Sequence, residues 1–233
     1  MTKASANLQE RKRRESENRK KHIISVVKAL VKKGGAREIT IRKVAEEAGF
    51  STTIVYALFH DKATLITQAM DETLLELVKV MKKAAALTED PIEKIKHTGK
   101  AYIKFGLSNP DEYALVFMER RPHAPVEAAE VEHGNVQQDP YAFAHSLFVH
   151  LKDQGLVDGD EMRLHMMTQI FWQGIHGLTS INLVMDEGDE WTPKLNHQMH
   201  VDALLDVLMA GLLQTFPAAL KNKNIKSNKT LKK

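Results

Sequence analysis

The sequence predicts an all-α protein: a three-helix head followed by a larger helical domain. Three observations carry this. Apolar residues recur at three- and four-residue spacing along most of the chain. Asp, Asn or Thr stands directly before Pro at 90–91, 109–110, 139–140 and 192–193, the pairing of a capping residue with a first helical residue. No segment alternates apolar and polar residues as a half-buried strand does. With 233 residues, 43% of them hydrophobic, the chain can bury one small and one medium core.

The elements follow in order. Ile23, Val27 and Leu30 give the first helix its packed face. Thr40 is placed to cap a helix whose apolar face is Ile41, Val44, Ala45 and Ala48. Gly49 ends that helix in a left-handed position, Phe50 fills the turn and Ser51 caps the next helix. There Val55 and Phe59 face inward, which sends Thr52, Thr53, Tyr56, Ala57 and His60 outward. Asp61 caps a third helix with Lys62 in its first turn, a place suited to a phosphate. Two short helices joined by a Gly turn put the second into the DNA major groove. The head is bounded at 19–65, with a basic arm over 1–18. Its DNA-facing residues are Thr40, Arg42, Thr52, Thr53, Tyr56, Ala57, His60 and Lys62.

Beyond the head, helices are predicted from Asp61 to near Thr88, then over 91–107, 110–119, 140–155, 160–186 and 193–216. Arg121 to Val136 contains Pro122, Pro125 and Gly134 and reads as a loop. Residues 66–220 form the second domain, and 221–233, rich in Lys and poor in hydrophobes, a disordered tail.

Charge is segregated. Residues 1–62 hold fifteen Lys/Arg against seven Asp/Glu, residues 63–220 hold twelve against twenty-three, and the tail holds six against none, within a net charge of +3. A polyanion therefore meets the head and not the acidic remainder. The run Glu10–Lys21 reads either as a solvated helix extension or as an arm along phosphates or the minor groove. The chain has no cysteine, which excludes disulfides, thiolate metal sites and Cys nucleophiles. No membrane-length apolar run and no signal-like N-terminus appear, so the expected location is the cytoplasm and no membrane partner is expected. No catalytic constellation or phosphate loop is found, so the expectation is a non-enzyme without a cofactor.

The pattern Thr-x3-Val-Ala-x2-Ala-Gly-Phe-Ser-x4-Tyr-x2-Phe-x2-Lys-x2-Leu, from Thr40 to Leu65, resembles the N-terminal signature of the tetracycline-repressor (TetR) family of one-component regulators. The resemblance extends back to Ile23. It implies phosphate contacts for Tyr56 and Lys62 and base-facing positions for Thr52, Thr53 and Ala57. The chain departs from the family's common Gly-Thr-Leu before the Tyr, having Thr53, Ile54 and Val55, and leaves the operator undetermined. The segment Phe171–Ile181, FWQGIHGLTSI, resembles more weakly a Trp/His-Gly region of one subgroup of the family. Family membership implies a double-stranded operator as partner and a homodimer through the last two long helices. Gly174 and Gly177 suggest close helix approach there, and Val201, Leu204, Leu205, Leu208, Leu212 and Leu213 supply a second apolar face.

For an effector, Tyr102, Phe105, Tyr113, Phe117, Phe148, Met167, Phe171 and Trp172 offer aromatic and Met surface, with His176 as a polar anchor. Each also suits an ordinary core. Such walls suit a small apolar or amphiphilic effector that releases the protein, as a repressor, from its operator. Metal binding is not expected: His145 and His150, or His197 and His200, pair at short spacing, but no third ligand can be placed from sequence. The alternative is an effector-independent DNA-binding or nucleoid protein using the basic arm and tail, against which the acidic second domain counts.

Overall fold

A computed structural model describes residues 3–125, 128–185, 193 and 195–218. Among them, nine α-helices follow one another: α1 (Lys3–Gly34), α2 (Ile41–Glu47), α3 (Thr52–Phe59), α4 (Lys62–Ala85), α5 (Pro91–Ser108), α6 (Pro110–Phe117), α7 (Pro140–Asp153), α8 (Glu161–Val184) and α9 (His197–Thr215). The all-α reading holds. The basic run at the start is part of α1. Arg13 pairs with Glu10 and Glu17, and Arg14 with Glu10, so side chains one turn apart hold the extension together. The tail at 221–233 lies outside the described residues.

The capping residues read from sequence mostly form their bonds. Thr40 Oγ1 accepts from Lys43 N at 3.1 Å, Ser51 Oγ from Ile54 N at 3.3 Å, Asp61 Oδ1 from Thr64 N at 2.7 Å and Asp160 Oδ1 from Arg163 N at 2.9 Å. Each such cap is worth about 1 kcal/mol. Two differ. Asn109 begins α6 without a side-chain cap, because its Nδ2 turns back to Phe105 O at 2.9 Å and finishes α5. The last helix does not start at Pro193. Asn196 caps it, accepting from Met199 N at 3.0 Å, and Asn is a better capping residue than Thr. Thr192 lies outside the described residues.

Two apolar cores form, and α4 runs through both. Ile23, Val27, Leu30, Val44, Val55, Phe59 and Leu65 fill the head, and that cluster continues through Leu74 to Leu115, Val116 and Val131. The second begins at Leu77 on α4 and takes in Ile95, Phe148, Leu151, Met167, Phe171 and Leu205. Burying one such side chain contributes about 1.5–3 kcal/mol. Helix α5 lies at the centre of the second core, and two glycines let its neighbours approach. A Cβ on Gly99 would sit 2.7 Å from Leu205 Cδ2, and one on Gly106 would sit 2.5 Å from Thr179 Cγ2. Glycine at these helical positions costs about 1 kcal/mol against Ala, which the closer packing offsets.

The glycines picked from sequence divide. Gly174 faces α9, where a Cβ would meet Leu208 Cδ1 at 2.6 Å, whereas a Cβ on Gly177 would meet nothing within 4 Å. On α9, Val201, Leu205 and Leu212 are buried, while Leu204, Leu208 and Leu213 are half-buried at the margin of the core. No described helix is long and apolar enough to cross a membrane.

Candidate nucleic-acid interface and effector cavity

The turn between α2 and α3 is closed by backbone bonds. Gly49, at φ +69°, sends its N–H to Glu46 O at 3.1 Å, and Phe50 N reaches Ala45 O at 2.9 Å. This pair of bonds is the Schellman motif, and it needs the left-handed residue that glycine supplies without strain. His22 of α1 braces the turn, its Nε2 lying 3.3 Å from Ala48 O and its ring edge-on to Phe50. With Val55 and Phe59 fully buried, α3 must present its other face outward. Thr40, Arg42, Thr52, Thr53, Tyr56, Ala57, His60 and Lys62 are all exposed. Thr40 keeps its hydroxyl for capping. Ala57 stands with Ile54 and Leu58 on one wall of a cleft whose other wall is Lys12, Glu15, Ser16 and Arg19 of α1. The helical extension therefore runs beside α3 and carries two cations to the edge of its exposed face. Leu58 packs against the head core.

Between α3 and α4 the chain turns within a single residue. His60 sits at φ 62°, ψ −50°, and Asp61 N bonds Phe59 O at 2.6 Å across it. This is a γ-turn of the strained hand in a non-glycine residue. It fixes the angle at which α4 leaves the exposed face, with Asp61 capping α4 beside Lys62.

Further along, α4 lines a cavity of about 550 Å³ with Leu74 and Met81. Its remaining walls are Thr98 and Tyr102 of α5, Val116 and Phe117 of α6, Tyr141 and Ala144 of α7, and Phe171, Trp172 and Ile175 of α8. Between α6 and α7, Glu119, Arg121, Val131, His133 and Asp139 complete the lining. That segment is tied to α4: Asp71 accepts from Glu130 N at 2.7 Å and Val131 N at 3.3 Å, and Gln68 Nε2 donates to Ala128 O at 3.2 Å.

Of the effector residues expected from sequence, Tyr102, Phe117, Phe171 and Trp172 reach the cavity wall. Phe105, Tyr113, Phe148 and Met167 are buried in the core, and His176 stands behind the wall. Periodicity identifies the buried side of a helix but cannot distinguish cavity wall from packed interior. The polar lining residues Glu119, Arg121, His133 and Asp139 were missed because they come from the segment between α6 and α7, which has no periodicity.

Behind the wall, Trp172 Nε1–H donates to Tyr102 OH at 3.1 Å, Tyr102 OH lies 3.0 Å from Tyr113 OH, and Tyr113 OH lies 2.5 Å from His176 Nδ1. Burial raises both phenols, Tyr113 to about 12, and lowers His176. All three are thus neutral near pH 7, and a single proton is shared between Tyr113 OH and His176 Nδ1. The network joins two cavity residues to α6 through Tyr113.

Helix α6 belongs to both halves. Leu115 and Val116 are part of the head's cluster, while Tyr113 and Phe117 pack among Tyr102, Trp172 and His176. Glu112, with only 5% of its side chain exposed, meets Lys32 of α1 at 3.1 Å.

On the outside, α8 exposes Met162, Met166, Ile170, Ile181 and Val184, which with Gly177 fall on one stripe. Helix α9 exposes Met199 and Val207 with Ala203 and Ala210 between and beyond them. An exposed apolar face of this extent on two helices suits an interface.

Comparison with known proteins agrees with this layout. Residues 95–212 match the model of the tetracyclin repressor-like C-terminal domain. None of the curated proteins is a significant sequence match to the chain. Among solved structures, the fold is similar to a TetR family transcription regulator from Marinobacter aquaeolei VT8, with TM-score 0.61 and 16% identity over 86% of this chain and 97% of that one. It is similar to a protein of unknown function from Rhodococcus sp. RHA1, with TM-score 0.61 and 16% identity over 85% and 95% of the two chains. It is also similar to RolR in complex with resorcinol, with TM-score 0.60 and 14% identity over 88% and 90%.

Proposed function

Because the chain belongs to the tetracycline-repressor family of transcription regulators, we propose that it is a homodimeric repressor released from its operator by a small, mainly apolar effector. One observation carries this reading: α4 begins at the exposed Lys62 and lines the cavity further along with Leu74 and Met81, so one helix reaches from the candidate DNA face to the cavity.

In this reading Thr52, Thr53 and Ala57 meet base edges, Tyr56 and Lys62 hold phosphates, and Lys12 and Arg19 of α1 add charge beside the groove. Two copies join through the apolar stripes of α8 and α9, since one recognition helix reads few base pairs and a two-fold dimer reads two half-sites. The effector fills the space between Tyr102, Phe117, Phe171 and Trp172, with a polar group towards Arg121 and His133. The similarly folded RolR, complexed with resorcinol, supports an aromatic of that size as one class to try. The effector must bind the DNA-incompetent arrangement more tightly, because equal affinity for both would shift nothing.

The experiment has two steps. Selection from random duplexes should yield a palindromic site bound in preference to bulk DNA at 0.2 M salt, about 10³-fold or more. A screen of aromatic, acyl and amphiphilic compounds should then yield some that raise the melting temperature and release that site. Binding without sequence preference that vanishes with salt would overturn the regulator reading in favour of nonspecific attraction.

A further inference from the structure

We infer that the junction of α7 and α8 is a divalent transition-metal site, with His145, Glu161 and His165 as its protein ligands. One ligand atom from each lies within 4.8 Å of the others. Glu161 Oε1 is 3.6 Å from His145 Nε2 and 3.6 Å from His165 Nε2, so both rings present the same nitrogen to one carboxylate oxygen. Tetrahedral zinc, with bonds of about 2.0–2.2 Å, separates its donors by about 3.4 Å, so the carboxylate is already nearly in place and only the two imidazoles need to close.

Two further features point to a ligand. His145 Nε2 is buried and makes no hydrogen bond, on a side chain only 12% exposed. A buried nitrogen without a partner is costly, and coordination would satisfy it. His165 has its other nitrogen engaged: Nδ1 lies 2.9 Å from Tyr141 OH. Donation from Nδ1–H leaves the Nε2 lone pair free and aims the ring, which is how ligating histidines are commonly oriented. Tyr141, His145 and His165 also stack, with Tyr141 and His165 only 5° from parallel and the two imidazoles 4.0 Å apart. Because each lone pair lies in its own ring plane, one imidazole must tilt out of the stack for both Nε2 atoms to converge on a single ion.

The chemistry selects the ion. Two imidazoles and one carboxylate suit zinc and its neighbours rather than calcium or magnesium, which take mostly oxygen. Burial and the neighbouring His165 lower His145, which favours its neutral, ligating form. The positive end of the α8 dipole opposes a cation, but Asp160 and Glu161, both in or before the first turn, offset it. Three protein ligands leave a fourth position for water. Glu161 and His165 stand one turn apart on α8, while His145 comes from α7, and for that reason the histidine spacings along the sequence miss the set. Tyr141 also lines the cavity, so the metal would hold one cavity wall residue through His165.

Untagged full-length protein stripped with a chelator would be titrated with zinc chloride by calorimetry, and with cobalt chloride by visible absorption. The expected result is one ion per chain, with a cobalt spectrum of low coordination number. Glu161→Gln and His165→Ala, both at accessible side chains, should each weaken zinc by tenfold or more with unchanged circular dichroism. Tyr141→Phe should weaken it by about 10–100-fold, the usual effect of losing an outer partner. Substituting the exposed pair His197 and His200 should change nothing. Absence of stoichiometric binding at micromolar metal would overturn the site, as would zinc affinity that survives Glu161→Gln and His165→Ala or disappears with His197 and His200. DNA binding enters none of these readouts.

Discussion

The proposed function assigns separable roles to single residues on the exposed face of α3. Tyr56 is half-exposed there and Lys62 stands at the start of α4. Tyr56→Phe or Lys62→Ala should weaken all DNA sequences alike, and Lys62→Ala should reduce the log–log salt slope by about one unit. A change in base preference with affinity intact would reverse that assignment. Thr53 substitution should instead shift preference at one or two base pairs by about 1–3 kcal/mol each, seen by repeating the selection with the variant. In the second domain, burial lowers His176. A histidine depressed on folding stabilises the protein above its unfolded value of about 6.5, and that stability is lost as pH falls through 6.5 towards the folded value. The melting temperature should therefore fall on acidification below about pH 6.5, and His176→Asn should flatten part of the fall. His145 is also lowered by burial and shifts in the same direction. An equally steep fall in the variant would mean that His176 does not titrate with unfolding.

At the scale of elements, packing explains what was and was not legible. The helix-turn-helix was readable because its determinants are local: Thr40, Gly49, Ser51 and Asp61 each act within four residues of themselves. The close approaches on α5 were not, because nothing in the surroundings of Gly99 or Gly106 names the helices that pack there. Gly99→Val should overpack against Leu205 and Phe171 and cost about 1–3 kcal/mol, measured by chemical denaturation. Gly177 gives the complementary case. It faces open space in one chain, so Gly177→Leu should leave the isolated chain's fold intact yet shift sedimentation towards monomer and weaken operator binding. A variant that remains dimeric with wild-type affinity would remove the α8 stripe from the interface. The ion pair between Lys32 and the buried Glu112 ties α1 to α6, and Lys32→Ala, which leaves that carboxylate unpaired, should cost about 1–3 kcal/mol.

For the whole molecule, charge and core divide the chain in complementary ways. The basic residues gather in the head, while α4 and α6 join the head's core to the second one. Sequence placed the acidic, aromatic-rich half correctly as helical but could not outline the cavity, whose walls range from Leu74 to Ile175 and come from five helices and a loop. In the proposed function the two halves are coupled through α4, which carries Lys62, Leu74 and Met81, and α6, which carries Val116 in the head's core and Phe117 at the cavity. The most direct test of this coupling is the operator affinity, by fluorescence anisotropy, with and without a compound whose binding is lost in Trp172→Ala. The coupling account predicts a loss of affinity of about 5–150-fold, or about 1–3 kcal/mol. A compound that occupies the cavity by that criterion, yet leaves operator affinity unchanged, would contradict it.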